Sequence, residues 1–262
     1  MRRVQEVILM VVIFLFSLFS ANLVKAAPVG LSGTAYWDMQ VAVGSGTGIG
    51  DGIIVDDNDT YLPPNPPAGN TLPDSKEYEA SDPDGYMYAY ASYGVETDWI
   101  DVYVNGYALD QSIANIEWFS ALSRVAVMSE TFTGFNAFSI SFDWEFDVDF
   151  GGGEGDAKIG FGLVDYTDPT SPSVVYEDIW AYDPLGDTNG TYSWSINTLD
   201  PTHVYLFGIG AKAFLEGEEG SEGSVDVYIS NINAQATPEP ASVLLVGAGL
   251  VALGMWVRKR VS

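Results

Sequence analysis

The chain of 262 residues contains no cysteine and a single histidine, His203. Without thiols it can form no disulfide, no zinc–thiolate site and no thiolate nucleophile, and it cannot be lipidated at a lipobox cysteine. One histidine excludes histidine-based metal sites. A single histidine also makes nucleophilic catalysis a poor hypothesis, because a general base needs a nucleophile and an orienting partner within hydrogen-bond reach. Stability must therefore come from a hydrophobic core or from bound ions.

Basic residues are almost as scarce. Between residues 27 and 237 there are 34 acidic residues and four basic ones, which are Lys76, Arg124, Lys158 and Lys212. This balance excludes binding to nucleic acid, whose phosphates require Lys and Arg. It also predicts repulsion from anionic membranes and attraction of divalent cations. The acids serve either solubility alone or specific calcium sites, and composition leaves both open.

The N-terminus has the three parts of a secretory signal peptide. Arg2 and Arg3 form a positive region, residues 7–19 form an apolar region, and Val24-Lys25-Ala26 fits the small-residue rule before a cleavage point. The apolar region is short for a membrane span. We therefore predict a signal peptide over residues 1–26.

The C-terminal segment, residues 237–262, combines a short motif, an apolar run and a basic cluster. The motif is Pro238-Glu239-Pro240, the run covers residues 241–257, and the cluster is Arg258-Lys259-Arg260. At about 1.5 Å per residue the run reaches roughly 25 Å, enough to stop in a membrane as a transmembrane helix. The basic stop would keep the C-terminus cytoplasmic and the body on the other side.

This segment resembles the PEP-CTERM tail of proteins exported by Gram-negative bacteria, in both the order and the place of its parts. The resemblance implies that an exosortase recognises Pro238, Glu239 and Pro240. It also implies an inner-membrane intermediate, followed by the cell surface or the extracellular polysaccharide matrix. A permanent membrane anchor is the alternative, since cleavage and retention both need residues 241–257 as a stop-transfer helix.

Alternation of apolar and polar residues dominates the body. Residues 138–150 place Phe, Ile, Trp and Val on one face and Ser, Asp and Glu on the other, which indicates a half-buried strand. Residues 158–166 resume the pattern after Gly151-Gly152-Gly153, so the two segments are expected to form a hairpin. Further strands are predicted at residues 33–43, 85–93, 99–104, 116–120, 124–129, 173–181, 190–197, 203–214 and 223–234.

These segments predict an all-β fold, a single β-sandwich of jelly-roll or Greek-key type over residues 27–236. The Pro-rich residues 56–85 are expected to be an insertion, because a long structureless loop is unusual inside a compact domain. The spacing Leu199-x-Pro201-x-x-x-Tyr205 resembles the tyrosine corner of fibronectin-III-like sandwiches. That resemblance implies a buried ring whose hydroxyl caps the turn.

Calcium is the metal that the acidic residues favour. Asp147, Asp149, Glu154 and Asp156 surround the Gly-rich turn and could supply oxygen ligands, although they do not match the EF-hand spacing. A second oxygen cluster is Asp56, Asp57, Asn58 and Asp59. The simpler alternative is that the ladder Asp143, Glu145, Asp147, Asp149 is a solvated strand face.

No catalytic residue is predicted, and the chain is expected not to be an enzyme. Acids two apart on a strand lie about 6.6–6.8 Å apart, which fits inverting glycosidases, but a solvated face does not raise a catalytic pKa. The expected role is a structural surface protein associated with exopolysaccharide. The rivals are a carbohydrate-binding module and a polysaccharide-degrading enzyme. An exposed aromatic platform beside residues 56–85 would favour the binder, and two unequal buried carboxylates in a cleft would favour the enzyme.

Overall fold

The computed structural model describes residues 26–45, 53–58, 70–109 and 117–238, which form β-strands joined by turns. No helix occurs in these ranges, and so none that could span a membrane. The apolar region of the predicted signal peptide, residues 7–19, and the predicted transmembrane segment, residues 241–257, both lie outside the described ranges. The strands are β1 Ala27–Pro28, β2 Leu31–Ser45, β3 Ile53–Asn58, β4 Asn70–Thr71, β5 Asp74–Ser81, β6 Met87–Val95, β7 Ile100–Ala108, β8 Glu117–Ser129, β9 Phe132–Thr133, β10 Phe135–Asp149, β11 Glu154–Asp165, β12 Ser173–Ala181, β13 Asn189–Ile196, β14 Val204–Glu218 and β15 Glu222–Pro238.

Two antiparallel sheets pack face to face, as predicted for a β-sandwich. The seven-stranded sheet has the order β13-β10-β15-β7-β6-β5, with β1 paired to β15. The eight-stranded sheet has the order β12-β11-β14-β8-β2-β3, with β4 paired to β2 and β9 paired to β14. The chain crosses between the sheets after β1, β4, β7, β9, β10, β12, β13 and β14. Neighbours within a sheet are therefore often distant in sequence.

Alternation places one face of each strand in a shared core. Phe138, Ile140 and Phe142 of β10 are buried against Phe161 of β11 and Phe207 of β14. Stacked or tilted ring pairs such as Phe138–Phe161, with centroids 6.5 Å apart, join the two sheets directly. Burial of such side chains contributes about 1.5–3 kcal/mol each, so the sandwich needs no disulfide. The core draws on residues from Ala35 to Ala236, so residues 27–238 contain the whole described core.

The expected hairpin between β10 and β11 is wrong. β10 pairs with β13 and β15 in one sheet, whereas β11 pairs with β12 and β14 in the other. The turn that joins them crosses the sandwich through Gly151, which has φ of 52°. A Cβ atom there would lie 1.2 Å from the carbonyl oxygen of Glu222, so only glycine fits this close crossing.

The Pro-rich residues 56–85 are only partly a loop. The range contains the end of β3, the short β4 and all of β5. β3 forms one edge of the eight-stranded sheet and β5 one edge of the seven-stranded sheet. This stretch therefore supplies an edge strand to each layer. Residues 59–69 lie outside the described ranges.

Aromatic side chains close the opposite side of the sandwich, between the edge strands β12 and β13. Tyr176 stacks on Trp194 with ring centroids 4.2 Å apart, and Trp180 stacks on Tyr192 at 4.9 Å. The hydroxyls of Tyr176 and Tyr192 both donate to Asp178, at 3.2 and 3.1 Å. These side chains point inward and close this side of the gap between the two sheets.

The tyrosine corner has the geometry that its spacing implies. The Tyr205 ring is buried, and its hydroxyl accepts a hydrogen bond of 3.0 Å from the backbone N–H of Asp200. Leu199 is buried beside it. Asp200 in turn accepts from the backbone N–H and the hydroxyl of Thr202, at 2.8 and 2.7 Å. The turn before β14 is therefore fixed to the core.

We expect Tyr205→Phe to lower the free energy of unfolding by about 1 kcal/mol, because the N–H of Asp200 loses its acceptor while the ring stays packed. Thermal melting of residues 27–238 should show a midpoint about 2–4 °C lower. Tyr86→Phe, on a more exposed ring, is the matched control and should leave the midpoint unchanged. An unchanged midpoint for Tyr205→Phe would show that the hydroxyl does not hold the turn.

Candidate functional site: the outer face of the seven-stranded sheet

The outer face of the seven-stranded sheet combines tyrosines with carboxylates. It is formed where β5, β6, β7 and β15 lie side by side, and its polar residues alternate with core residues along each strand. We call it the tyrosine–carboxylate face. Its members are Tyr88, Tyr90, Tyr103, Tyr107, Tyr228, Glu77, Glu79, Asp101 and Asp226.

Cross-strand register brings these side chains together from four strands. Tyr88 lies opposite Tyr107, and their rings stack with centroids 5.7 Å apart. Tyr103 lies opposite Asp226, and Asp101 lies opposite Tyr228. The result is a mosaic in which each aromatic ring has a carboxylate or another ring as its neighbour. Directly opposed residues of this kind stabilise the sheet and fix the side-chain positions.

Hydrogen bonds hold several of the rings in place. Tyr90 donates to Glu77 at 2.9 Å, and the side-chain amide of Asn105 donates to the hydroxyl of Tyr103 at 2.9 Å. Burial and the neighbouring acids raise the pKa of Tyr88 above its usual value. Burial is also the main cause that raises the pKa of Tyr90. Both phenols therefore stay protonated at neutral pH and can act as donors.

Asp101 and Asp226 form a carboxyl pair within this face. Burial, the hydrogen bond to Asp101 and the charge of Asp101 raise the pKa of Asp226 to about 7, with smaller contributions from Asp147 and Glu145. Burial likewise raises the pKa of Asp101. Two carboxyls this close cannot both ionise at low cost, so they share one proton. The pair lies on the open sheet face between Tyr103 and Tyr228.

The same sheet face continues into a region of hydroxyls and amides. Ser139 and Ser141 of β10 lie beside Ser193 and Ser195 of β13. Together with Asn233 and Gln235 of β15 they line a shallow groove of about 340 Å³. β15 runs through both regions for 17 residues, about 55 Å at 3.3 Å per residue. The face is thus long enough to hold a polymer.

The acidic ladder on β10 is divided between structural and exposed positions. Asp143 accepts from the hydroxyl of Thr191 at 2.6 Å and from the amide of Asn231 at 2.8 Å. These hydrogen bonds hold the pKa of Asp143 below its usual value. Asn231 has φ of 54°, where β15 carries an extra residue relative to β10. Asp143 therefore stabilises a β-bulge through these hydrogen bonds. Glu145 and Asp147 remain exposed beside the tyrosines.

The predicted calcium ligands are divided between the two sheets. Asp147 and Asp149 end β10, and Asp149 accepts from the backbone N–H of Gly151 at 2.9 Å. Glu154 and Asp156 begin β11 in the other sheet. Burial would raise the pKa of Asp156, but the ammonium groups of Lys158 and Lys212 hold it below its usual value.

No group of three or more acidic or histidine side chains arranged for a metal ion occurs within the described ranges. The side chains of Asp56, Asp57 and Asn58 lie outside what the structure describes, as does Asp59. Calcium binding therefore stays a prediction.

His203 lies between two carboxylates. Its Nδ1 lies 2.6 Å from Asp165, and its Nε2 lies 3.8 Å from Asp200. Burial would raise the pKa of Asp165, but hydrogen bonds from Thr167 and His203 lower it. His203 thus joins the turn before β14 to the end of β11.

Part of this face could be predicted from the sequence. Alternation over residues 85–93 predicts Tyr86, Tyr88 and Tyr90 on one face of a strand; the structure confirms this for Tyr88 and Tyr90, whereas Tyr86 lies before the first residue of β6. No such prediction covers Tyr103, Tyr228 or the Asp101–Asp226 pair. The signal was present in residues 101–107, where Asp, Tyr, Asn and Tyr alternate with Val and Gly. The pairing of β7 with β15, however, joins residues more than a hundred positions apart.

The segment of residues 236–260 matches the family model of the PEP-CTERM protein-sorting motif. The match includes both predicted parts of the signal, Pro238-Glu239-Pro240 and Arg258-Lys259-Arg260. The chain therefore carries the sorting motif of exported proteins that an exosortase handles. No curated protein is significantly similar to this chain in sequence.

Solved structures with a similar fold include the adhesin domain of Epf from Streptococcus pyogenes, at 9% identity and a TM-score of 0.37. That match covers 81% of this chain and 64% of the other, so it spans less than two thirds of the adhesin chain. A carbohydrate-binding module of the β-sandwich superfamily matches at 13% identity and a TM-score of 0.27, covering 80% of this chain and 97% of the module. With TM-scores this low, the similarities carry no functional argument.

We expect Asp226→Asn to raise the free energy of unfolding at pH 8 by about 1 kcal/mol, a value discounted because the pair is partly exposed. The folded pKa of about 7 lies above the ordinary value of 3.8. The pair's contribution to stability is therefore full below pH 3.8 and is lost as pH rises from there through 7. Urea unfolding of wild type should show this slope between about pH 4 and 7, and the variant should lack it.

Asp101→Asn is the internal control for this experiment. It removes the same shared proton, so it should give the same result, and the double variant should add little more. Additive effects of the two substitutions would contradict a shared proton.

Proposed function

We propose that this exported protein is a non-enzymatic component of the cell surface or extracellular matrix that binds a neutral polysaccharide through its tyrosine–carboxylate face. Export and sorting follow from the PEP-CTERM motif at residues 236–260. In this proposal the chain passes through an inner-membrane intermediate, held by residues 241–257, before the exosortase acts. The folded body then remains with the exopolysaccharide.

The observation that carries the proposal is the mosaic of tyrosine rings and carboxylates on one continuous sheet face. Sugar rings have apolar C–H faces that pack on aromatic rings, and their hydroxyls donate to carboxylates. Tyr228 is 38% exposed and lies opposite both Asp101 and Glu145. An aromatic surface and charged acceptors are thus available to the same ligand. β5, which supplies Glu77 and Glu79 to this face, belongs to the Pro-rich residues 56–85.

The charge of this face determines the class of polysaccharide. All of its ionisable groups are carboxyls or phenols, and Lys76 points away from it, with its ammonium group 3.8 Å above the Trp37 ring. An acidic glycan would be repelled by Glu77, Glu79, Asp147 and the Asp101–Asp226 pair. A neutral glycan is not repelled, and its hydroxyls match the acceptors. The neighbouring serines and amides extend the same chemistry along β15.

We expect Tyr103→Ala and Tyr228→Ala each to weaken binding to a neutral glucan about tenfold, because each removes an aromatic contact of roughly 1–2 kcal/mol. Affinity electrophoresis of residues 27–238 in hydroxyethyl cellulose, and in polysaccharide from the producing bacterium, would measure this. Tyr166→Ala, in the turn after β11, is the matched control and should bind as wild type does. Equal losses for Tyr166→Ala and Tyr103→Ala, or no binding by wild type, would contradict the proposal.

Replacement of Pro238, Glu239 and Pro240 by alanine should leave the full-length protein in the membrane fraction, because the exosortase loses its recognition motif. Cell fractionation and mass spectrometry of the released protein's C-terminus would test this. A host without its exosortase should give the same retention. Release of a body that ends near Thr237 from such a host would rule out this route.

A further inference from the structure

The outer face of the eight-stranded sheet carries a groove floored by glycine. In the centre of the sheet, Gly160 lies opposite Gly210 and Gly162 lies opposite Gly208, on the paired strands β11 and β14. The inward positions between them, such as Phe161 and Ile209, are buried core residues. Glycine inside a strand lowers its stability, and it often marks a place where a ligand approaches the backbone. Four such positions form the floor of what we call the glycine groove.

Side chains on the flanking strands form the walls of the groove. Val174 and Ile179 of β12 stand on one side, with 64% and 59% of their surface exposed. Tyr36 of β2 and Met128 of β8 stand on the other side. The groove has a volume of about 730 Å³, within the usual range of ligand sites, and its lining is mostly apolar.

One end of the groove is lined by a row of cations. Lys158, Lys212 and Arg124 lie directly opposite one another on β11, β14 and β8. They are three of the four basic residues between residues 27 and 237, and Lys76 is the fourth. Their side chains remain 42%, 34% and 51% exposed. Residues 27–237 contain 34 acidic residues, yet three of their four basic residues lie side by side at one end of this groove.

Among the side chains that the structure describes, the carboxylates in contact with this row leave one positive charge unmatched. Asp156 contacts both lysines, at 2.7 and 2.9 Å, and Asp38 pairs with Arg124. The row thus holds three cations and two carboxylates. Glu177 also lines the groove, but it lies opposite Gly162, four residues or about 13 Å along β11 from Lys158. A carboxylate brought by a ligand would complete the pairing.

We propose that the glycine groove is a second binding site, which takes an acidic polysaccharide containing uronic acid. A uronate carboxylate binds Lys158, Lys212 and Arg124, while the C–H faces of the sugar rings lie over the glycine floor and against Val174 and Ile179. The high negative charge of the body does not prevent this. At physiological salt, charges beyond about 8 Å are largely screened, and the carboxylates of the other face lie beyond the sandwich core.

The site does not depend on the tyrosine–carboxylate face, and it selects the opposite class of glycan. A protein with both sites would join a neutral chain to an acidic one across the thickness of the sandwich. The groove is open along its length, which suits a polymer that continues beyond it. A fatty acid also combines a carboxylate with an apolar body, so it is the competing ligand for the test.

The test is titration of residues 27–238 with polygalacturonate, with EDTA present so that calcium cannot bridge acid to acid. We expect wild type to bind, with an affinity that falls as salt rises, and Lys158→Gln/Lys212→Gln to weaken binding at least tenfold. Lys76→Gln, which removes a charge elsewhere, should bind as wild type does. Gly160→Val and Gly162→Val should block the groove. An added Cβ at these positions meets only ordinary contacts at 3.6 and 3.7 Å, so the sheet should persist.

Tyr103→Ala separates this proposal from the previous one, because it should weaken binding to neutral glucan and leave polygalacturonate binding unchanged. Three results would overturn the acidic-glycan site: no polygalacturonate binding by wild type, equal weakening by Lys76→Gln, or full binding by folded Gly160→Val. Tighter binding of oleate that the groove variants abolish would also overturn it, in favour of a lipid site.

Discussion

The packing of two apolar sheet faces against each other is the interaction on which the rest of this protein depends. Rings from β10, β11 and β14 meet in the layer between the sheets, and those from β12 and β13 seal its open side. Because side chains alternate along a strand, burying one set of positions directs the other set outward. Both candidate binding surfaces are the outward sets of strands whose inward sets form the core.

The two outer faces differ in chemistry because they are built from different strands. The seven-stranded sheet presents tyrosines and carboxyls, including a pair that shares a proton at Asp101 and Asp226. The eight-stranded sheet presents glycines in its centre and the row of Lys158, Lys212 and Arg124 at one end of them. The three cations therefore lie on the second face alone, where Asp38, Asp156 and Glu177 accompany them. Such separation suits a molecule that meets two different polymers in a matrix.

Much of the fold could be predicted from the sequence. In a half-buried strand apolar and polar residues alternate with a period of two, and this alternation does not depend on which strand is its neighbour. β10, β12 and β14 were each expected within a few residues of their observed bounds. The turn at Gly151 could not be predicted in the same way. A run of three glycines permits both a hairpin and a crossing between layers, and the choice depends on which strands already occupy the two sheets. Of the residues in the two binding surfaces, only Tyr88 and Tyr90 could be placed on a common face from the sequence alone.

The sequence by itself determined the sorting signal that this protein carries and the class of its fold. A sorting motif is read by another protein as a linear segment, and alternation is a local property, so neither needs a tertiary structure. Only the tertiary structure decided which side chains meet. Asp101 meets Asp226, and Lys158 meets Lys212 and Arg124, through strand pairings between distant parts of the chain. Pairing energy depends on the whole packed sandwich, so no local pattern specifies these contacts.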